Sequence, residues 1–206
     1  MVVVLLSFSG RNSLAAYLEL RERYERIIPF HMYFIPRLEF VKENLAHYEG
    51  ILGQKIVRVP HPATFRMLKN RIYQPPNRAK ALSRLKFPIY NRDCAIALVR
   101  KKANLTTEFT VATGQAYPYF NKEPELNELR PVWNWKATDI EKRIKGIKLG
   151  IEHTLFGCSF NGLTYRCLKP ISECYPKDMA RILQFFPLAE IEIYRKEVLT
   201  DFLVGW

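Results

Sequence analysis

A short polar turn near the start of the chain carries residues that could bind a phosphate group. The apolar run Val2–Leu6 predicts a buried strand, and the polar residues 7–13 follow it directly. An amphipathic helix pattern begins at Leu14. In such a unit the N–H groups of the turn and of the helix N-terminus point at one place and attract an anion. The sequence therefore predicts an anion site made of five residues: Ser9, Gly10, Arg11, Asn12 and Ser13.

Strand and helix patterns alternate along the segments that must position this turn. Helical spacing of apolar residues predicts a first helix over 13–27, ended by Pro29, and a second helix that begins near Leu38 and is closed by Gly53. Shorter apolar runs predict further strands at 31–35, 55–59, 94–99 and 130–135, with irregular β structure over 106–118. Further helices are predicted at 62–72, after the N-cap Thr138, at 176–186 and at 188–201.

This alternation predicts an α/β fold. We expect a five-stranded, mostly parallel sheet with helices on both faces, plus C-terminal helices. A chain of 206 residues suits one such domain over 1–206, with a less regular part from about residue 150. Ligands of such sheets lie at the carboxyl ends of the strands, where the turn after the first strand is found.

Positive charge is concentrated in one segment. Residues 61–102 carry a net charge of +10, out of +12 for the whole chain. An excess of this size predicts a polyanionic partner such as nucleic acid, with a solvated basic face as the plainer alternative. The residues chosen for this surface are Arg78, Lys80, Arg84, Lys101 and Lys102.

No apolar run reaches the roughly 18 residues that a membrane-spanning helix needs. We therefore expect no membrane partner and a cytoplasmic location. Cys158, Cys167 and Cys174 are nine and seven residues apart, which does not match paired C-x-x-C ligands and favours buried free thiols over a metal site.

Several segments, in order along most of the chain, match the motifs of one family. The turn Phe8–Ser13 stands where that family has S-G-G-K-D-S, and the segment 35–40 where it has D-T-G-L-E-F. The later matches are Leu85–Pro88, Leu98–Asn104, Pro131–Ile140 and Gly162–Pro170. On these residues the chain resembles the PAPS (phosphoadenosine-phosphosulfate) reductase-like branch of the PP-loop, or adenine nucleotide alpha-hydrolase, superfamily.

The resemblance implies a five-stranded parallel sheet that binds ATP or another adenine nucleotide, with Mg²⁺ as an accompanying ion. It implies that Arg100 and Lys86 join the turn in holding phosphate, and that adenine lies beside Ile35 and Leu38. The reaction implied is cleavage between the alpha and beta phosphates, which activates an acceptor for sulfur or nitrogen transfer. No iron–sulfur cluster is expected, because the paired cysteines of the family are not kept.

The departures from the family are also informative. Arg11 replaces a lysine and keeps the positive charge, whereas Asn12 replaces an aspartate that could help to hold Mg²⁺. No cysteine follows Cys174, so the late thiolate of the sulfonucleotide reductases is missing. True PAPS reductase activity is therefore not expected.

Two functions remain open at this point. In the first, the chain is a PP-loop protein that binds an adenine nucleotide and performs ATP pyrophosphatase-type adenylation. In the second, the fold has lost catalysis and the chain is a basic subunit that binds nucleic acid or has a structural role, as a homo-oligomer or in a larger assembly. The sequence does not decide whether the chain is an enzyme.

Overall fold

The computed structural model describes residues 2–62, 90–116, 128–149, 165–187 and 189–194. Strands and helices alternate over the first half of the chain, and helices predominate after residue 136. The strands are β1 (Val3–Ser7), β2 (Arg26–Tyr33), β3 (Val57–Pro60), β4 (Phe109–Thr113) and β5 (Glu128–Leu129). The helices are α1 (Arg11–Leu20), α2 (Glu39–Leu52), α3 (Arg92–Lys102), α4 (Ala137–Arg143), α5 (Tyr165–Cys174) and α6 (Pro176–Phe185).

The described strands form one five-stranded sheet in the order β3-β2-β1-β4-β5. All four neighbouring pairs are parallel, and the five residues of β1 pair with β2 on one side and β4 on the other. The chain moves from β1 toward β2 and β3, and later returns to the opposite side of β1 at β4. The carboxyl end of β1 is therefore the point at which the strand order reverses, where open α/β sheets bind their ligands.

Helices cover both faces of this sheet, because β1 presents apolar residues to both faces. Val4 and Leu6 belong to a large core cluster that includes side chains of α1, α2, α4, α5 and α6. Val3 and Leu5 belong to a second cluster with buried residues of α3. The predicted α/β fold with helices on both faces is confirmed. In the described part of the chain, none of the helices is long and apolar enough to cross a membrane.

The predicted boundary between the first helix and the second strand is wrong. Helix α1 ends at Leu20, and β2 already begins at Arg26, so residues 26–27 are strand rather than helix. Pro29 lies inside β2 and pairs with Leu6 of β1. The proline is tolerated because β3 pairs with β2 only from Phe30 onward, which leaves the β2–β3 ladder intact.

The predicted strand at 94–99 is also wrong, because these residues lie in α3. The Asn91 side chain caps this helix by accepting a hydrogen bond from the Cys94 N–H at 2.9 Å. The buried residues Ala95, Ile96 and Val99 have helical spacing. Such a short apolar run does not distinguish a strand from a buried helix face. The fourth strand is instead β4, which lies within the segment that was predicted to be irregular β structure.

Smaller differences occur around the last strand. Strand β5 is residues 128–129, and the predicted strand at 130–135 is a turn in which the Trp133 N–H donates to the Arg130 carbonyl at 3.1 Å. Helix α4 begins at Ala137 rather than after Thr138, because the Asp139 carboxylate accepts the Lys136 N–H at 2.9 Å. Residues 189–194 are helical, in agreement with part of the predicted helix at 188–201. The predicted helix at 62–72 lies almost wholly outside the described residues.

A buried aspartate joins the C-terminal helices to the sheet domain. Helix α2 has the apolar residue Leu38 at its N-cap, with no capping side chain of its own. Asp178 of α6 supplies the missing acceptor, because its Oδ2 accepts the Phe40 N–H at 2.9 Å. Asp178 is only 6% exposed, so its substitution by alanine removes a buried hydrogen bond to the Phe40 N–H.

We therefore expect Asp178→Ala to lower the free energy of unfolding by about 1–2 kcal/mol, the usual cost of losing a helix cap. Asp178→Asn is the matched control, because the amide oxygen can still accept the Phe40 N–H. Urea denaturation of both variants measures the difference. Equal losses of stability in the two variants would show that the hydrogen bond between Asp178 and the helix N-terminus does not account for the destabilisation.

Candidate phosphate-binding turn at the centre of the sheet

The turn after β1 has the geometry that the sequence predicts for an anion site. Gly10 is the N-cap of α1 and has a φ of 120°, a backbone conformation that favours glycine. The first-turn N–H groups, those of Arg11, Asn12 and Ser13, have no acceptor within the helix, and no side chain caps them. These donors lie at the carboxyl end of the central strand and carry the positive end of the helix dipole.

Two serines brace the turn from inside. The Ser13 Oγ accepts the Ser9 N–H at 3.0 Å and lies 3.2 Å from the Ser9 Oγ. Ser13 is 1% exposed, whereas Ser9, Gly10 and Asn12 are partly exposed. The buried Ser13 hydroxyl therefore fixes the shape of the turn. The donors that a ligand can reach are the backbone N–H groups and the partly exposed residues that precede Ser13.

Arg11 lies at the rim of the turn and contacts α4. Its Nη1 is 3.4 Å from Oε1 of Glu141, and the arginine side chain is 35% exposed. A pair this exposed contributes at most about 1 kcal/mol. The first turn of α1 contains no acidic residue. Arg11 is therefore held close to the turn by a weak contact, and an incoming anion would compete with Glu141 for it.

Gly114, directly after β4, approaches the turn more closely than a residue with a side chain can. A Cβ placed on Gly114 would lie 2.6 Å from the Ser13 nitrogen and 2.7 Å from its Cα. Gly114 is not among the residues that the sequence predicts for this site. The sequence does show a glycine directly after a run rich in β-branched residues. Its role becomes predictable only once that run is identified as a strand.

The base of the turn is tied to β2. The Phe8 N–H donates to the Phe30 carbonyl at 2.7 Å, and the Phe8 carbonyl accepts from Nδ1 of His31 at 3.0 Å. His31 is fully buried, and its Nε2 has no hydrogen-bond partner among the described residues. Burial lowers the pKa of His31 to about 4, since a charged imidazole there would lose its hydration. The neutral ring thus helps to fix the turn.

Phe8 stands where the resembling family has the first serine of its loop. The ring is fully buried and packs edge-on against Tyr48 of α2, with ring centroids 5.1 Å apart. This position therefore belongs to the core, and the anion site begins at Ser9.

The two residues predicted beside adenine are also part of the core. Ile35 is 1% exposed and Leu38 is 2% exposed. Their side chains pack in the large cluster with α2. The predicted contact of adenine with these two side chains therefore has no accessible surface, whereas the backbone and the exposed side chain of Arg37 between β2 and α2 remain accessible.

Arg100 does not lie with the turn. It belongs to α3, and its guanidinium carbon is 5.0 Å from the centroid of the Phe109 ring. Phe109 pairs with Val3 at the start of β1, whereas the turn follows the end of β1. A five-residue strand separates these two edges by roughly 13 Å. Lys101 and Lys102 share the Arg100 edge, and the other predicted cations lie outside the described residues: Arg78, Lys80, Arg84 and Lys86.

Cys94 and Cys174 are free thiols, and both are exposed. The expectation that Cys174 is buried is therefore wrong. Cys158 and the side chain of Cys167 lie outside the described residues. Within the described ranges, no group of three metal-ligating side chains is close enough to hold a metal ion.

No protein-family model matches this chain, and no curated protein matches it.

Proposed function

We propose that this chain binds the phosphate groups of an adenine nucleotide at the turn formed by residues 9–13. The observation that carries the proposal is the uncapped N-terminus of α1, which lies at the carboxyl end of the central strand where the strand order reverses. Both the free N–H groups and the helix dipole favour an anion at this position.

The charges around the turn suit a phosphate. Arg11 adds a full positive charge beside the N–H donors, and its planar group can bind two phosphate oxygens at once. No carboxylate lies in the first turn of α1 to oppose the anion. Thr113, which pairs with Ser7 at the same edge of the sheet, has a buried hydroxyl with no hydrogen-bond partner among the described residues. A ligand at this edge would find polar groups that the protein itself does not satisfy.

The nucleotide part of the proposal comes from the resemblance to PP-loop proteins. The five-stranded parallel sheet, with the turn after its central first strand, agrees with the fold that the resemblance implies, which is support at the level of fold. Since the side chains of Ile35 and Leu38 are buried, we infer that the base is recognised by backbone groups between β2 and α2. Arg100 is left out of this site because of its position at the other edge.

Adenylation with release of pyrophosphate is a second step of the proposal. The residues at the turn fit the phosphate better than they fit Mg²⁺, because Asn12 and the serines supply no carboxylate. Binding is therefore expected without Mg²⁺.

We also propose a cytoplasmic location, which suits the free thiols Cys94 and Cys174.

Calorimetric titration with ATP and with its non-hydrolysable alpha–beta analogue, with and without Mg²⁺, tests this function. We expect micromolar binding of both ligands, and we expect Arg11→Ala to weaken it at least about tenfold because a charged phosphate contact is lost. Glu141→Gln should strengthen binding by about threefold, because it frees Arg11 from a surface ion pair.

Lys142→Ala is the matched control, since it removes an exposed positive charge from α4 without touching the turn. Unchanged affinity in Arg11→Ala would reject this placement of the phosphate. No binding at millimolar ATP would reject the nucleotide function as a whole.

A further inference from the structure

A cleft of about 390 Å³ lies at the C-terminal end of α3, at the edge of the sheet opposite the turn. Its lining combines hydrogen-bond donors with small apolar groups and contains no acidic residue. The lining residues are Ala97, Arg100, Lys101, Asn104, Leu105 and Thr106. Side-chain donors in a lining without carboxylates are the set that binds a phosphate group.

The local backbone reduces the usual objection to an anion at a helix C-terminus, which is the exposed carbonyls of the last turn. Asn104 has a φ of 49°, and its N–H donates to the Lys101 carbonyl at 3.2 Å. The Leu105 N–H donates to the Arg100 carbonyl at 3.0 Å, which completes a Schellman motif. These two terminal carbonyls are therefore already occupied. Leu105 is buried against α3 and fixes the wall of the cleft.

The three cations near the cleft differ in their contacts with the protein. The Arg100 guanidinium lies over the face of the Phe109 ring, and its Nε is buried without a hydrogen-bond partner in the described part of the chain. Stacking uses the face of the guanidinium and leaves its in-plane N–H groups as donors. Lys101 is exposed, whereas Lys102 donates to the Arg58 carbonyl at 2.7 Å. Among the described residues that line the cleft, Arg100 and Lys101 are thus the two cations available to a ligand.

We propose that this cleft binds the phosphate backbone of a nucleic acid strand. The cleft is formed at the C-terminal end of the segment 61–102, which carries a net charge of +10 along the sequence. A strand of repeating phosphates matches such an extended set of charges better than a single small anion does. The donors at the cleft reach phosphate oxygens, so binding is independent of base sequence.

This site is independent of the nucleotide site proposed above. The two lie at opposite edges of the sheet, and Arg11 and Arg100 belong to different helices on different faces. One variant of each arginine therefore separates the two functions.

The test is fluorescence anisotropy with a labelled single-stranded 20-nucleotide DNA over 50–200 mM salt. We expect the full chain to bind, and Arg100→Gln/Lys101→Gln to weaken binding at least about tenfold at the lower salt. The slope of log K against log salt should become shallower by about 1.4, since two phosphate contacts of about 0.7 each are lost. A probe of different base sequence should bind equally.

Lys142→Gln/Lys145→Gln is the matched control, because it removes two positive charges near the end of another helix. It should change affinity for the oligonucleotide by less than about twofold, because salt screens exposed charges that lie far from the bound strand. The exposed Lys101→Glu, compared with Lys142→Glu, repeats the test without disturbing the Arg100 stack. Equal losses in the cleft and control variants, or no binding by the wild-type chain, would overturn the proposal.

Arg11→Ala distinguishes this result from the proposed nucleotide function. It should keep full affinity for the oligonucleotide while losing affinity for ATP. If the wild-type chain does not bind ATP, the nucleotide site alone is rejected. If it does not bind the oligonucleotide, the cleft alone is rejected.

Discussion

Replacing Gly114 with alanine is expected to lower the free energy of unfolding by about 2–3 kcal/mol, the cost of forcing an atom into a close-packed site. The new Cβ would lie 2.6 Å from the Ser13 nitrogen and 2.8 Å from the Asn12 carbonyl carbon, and both are backbone atoms that cannot rotate away. Either the end of β4 or the first turn of α1 must move. Movement of α1 would displace the N–H groups proposed to bind phosphate.

The measurement is urea denaturation of Gly114→Ala beside Gly50→Ala. Gly50 lies within α2, and a Cβ there meets nothing within 4 Å. Gly50→Ala should therefore raise the free energy of unfolding by about 0.5–1 kcal/mol, because alanine favours a helix more than glycine does. Wild-type stability in Gly114→Ala would show that β4 and α1 are not in close contact.

Acidification from pH 6.5 to 4 is expected to remove about 3 kcal/mol of stability through His31 alone. The pKa of this histidine is lowered by burial to about 4 in the native state, from an ordinary value of 6.5. Between these values the unfolded chain takes up a proton that the native chain does not. The free energy of unfolding therefore falls as the pH falls through this window. Arg58, which pairs with His31 across β2 and β3, lowers the pKa in the same direction.

His31→Gln tests this prediction, because glutamine cannot titrate in this range. The variant should show a much flatter dependence of stability on pH between 6.5 and 4.5, whatever its absolute stability. An unchanged slope would contradict the assignment to His31.

Glu49 also contributes to the dependence of stability on pH, and its contribution must be distinguished from that of His31. Burial alone would raise the pKa of its carboxyl, but hydrogen bonds from Lys55 and the Ile56 N–H, together with Arg58, lower it overall. A carboxyl with a lowered pKa stabilises the native state above its ordinary value of 4.5 and loses this contribution as the pH falls further. Because His31 also titrates below pH 4.5, Glu49→Gln should reduce the loss of stability below pH 4.5 and leave the loss between pH 6.5 and 4.5 unchanged.

The candidate site was predictable in part because its signals are local. An apolar run, a glycine and an amphipathic pattern within twenty residues are enough to specify β1, the turn and α1. The helix N-terminus then creates the anion site from backbone groups, which do not depend on distant side chains.

The position of Arg100 was not predictable because it depends on which apolar run becomes the fourth strand. The segments 94–99 and 109–113 are both short and apolar, so local pattern alone does not separate them. Val99 packs behind the sheet with α3, whereas Val111 pairs with Leu5 in the ladder of β1. This choice places Arg100 at the amino edge of the sheet instead of beside the turn.

The sequence by itself determined the α/β class, the central strand, the polar turn and the concentration of positive charge, because each of these depends on neighbouring residues. Only the tertiary structure decided that Phe8, Ile35 and Leu38 belong to the core, that Gly114 presses against the turn, and that Arg100 lies at a second, separate cleft. These features depend on contacts between segments far apart in the chain. Their energies come from close packing, which local periodicity does not encode.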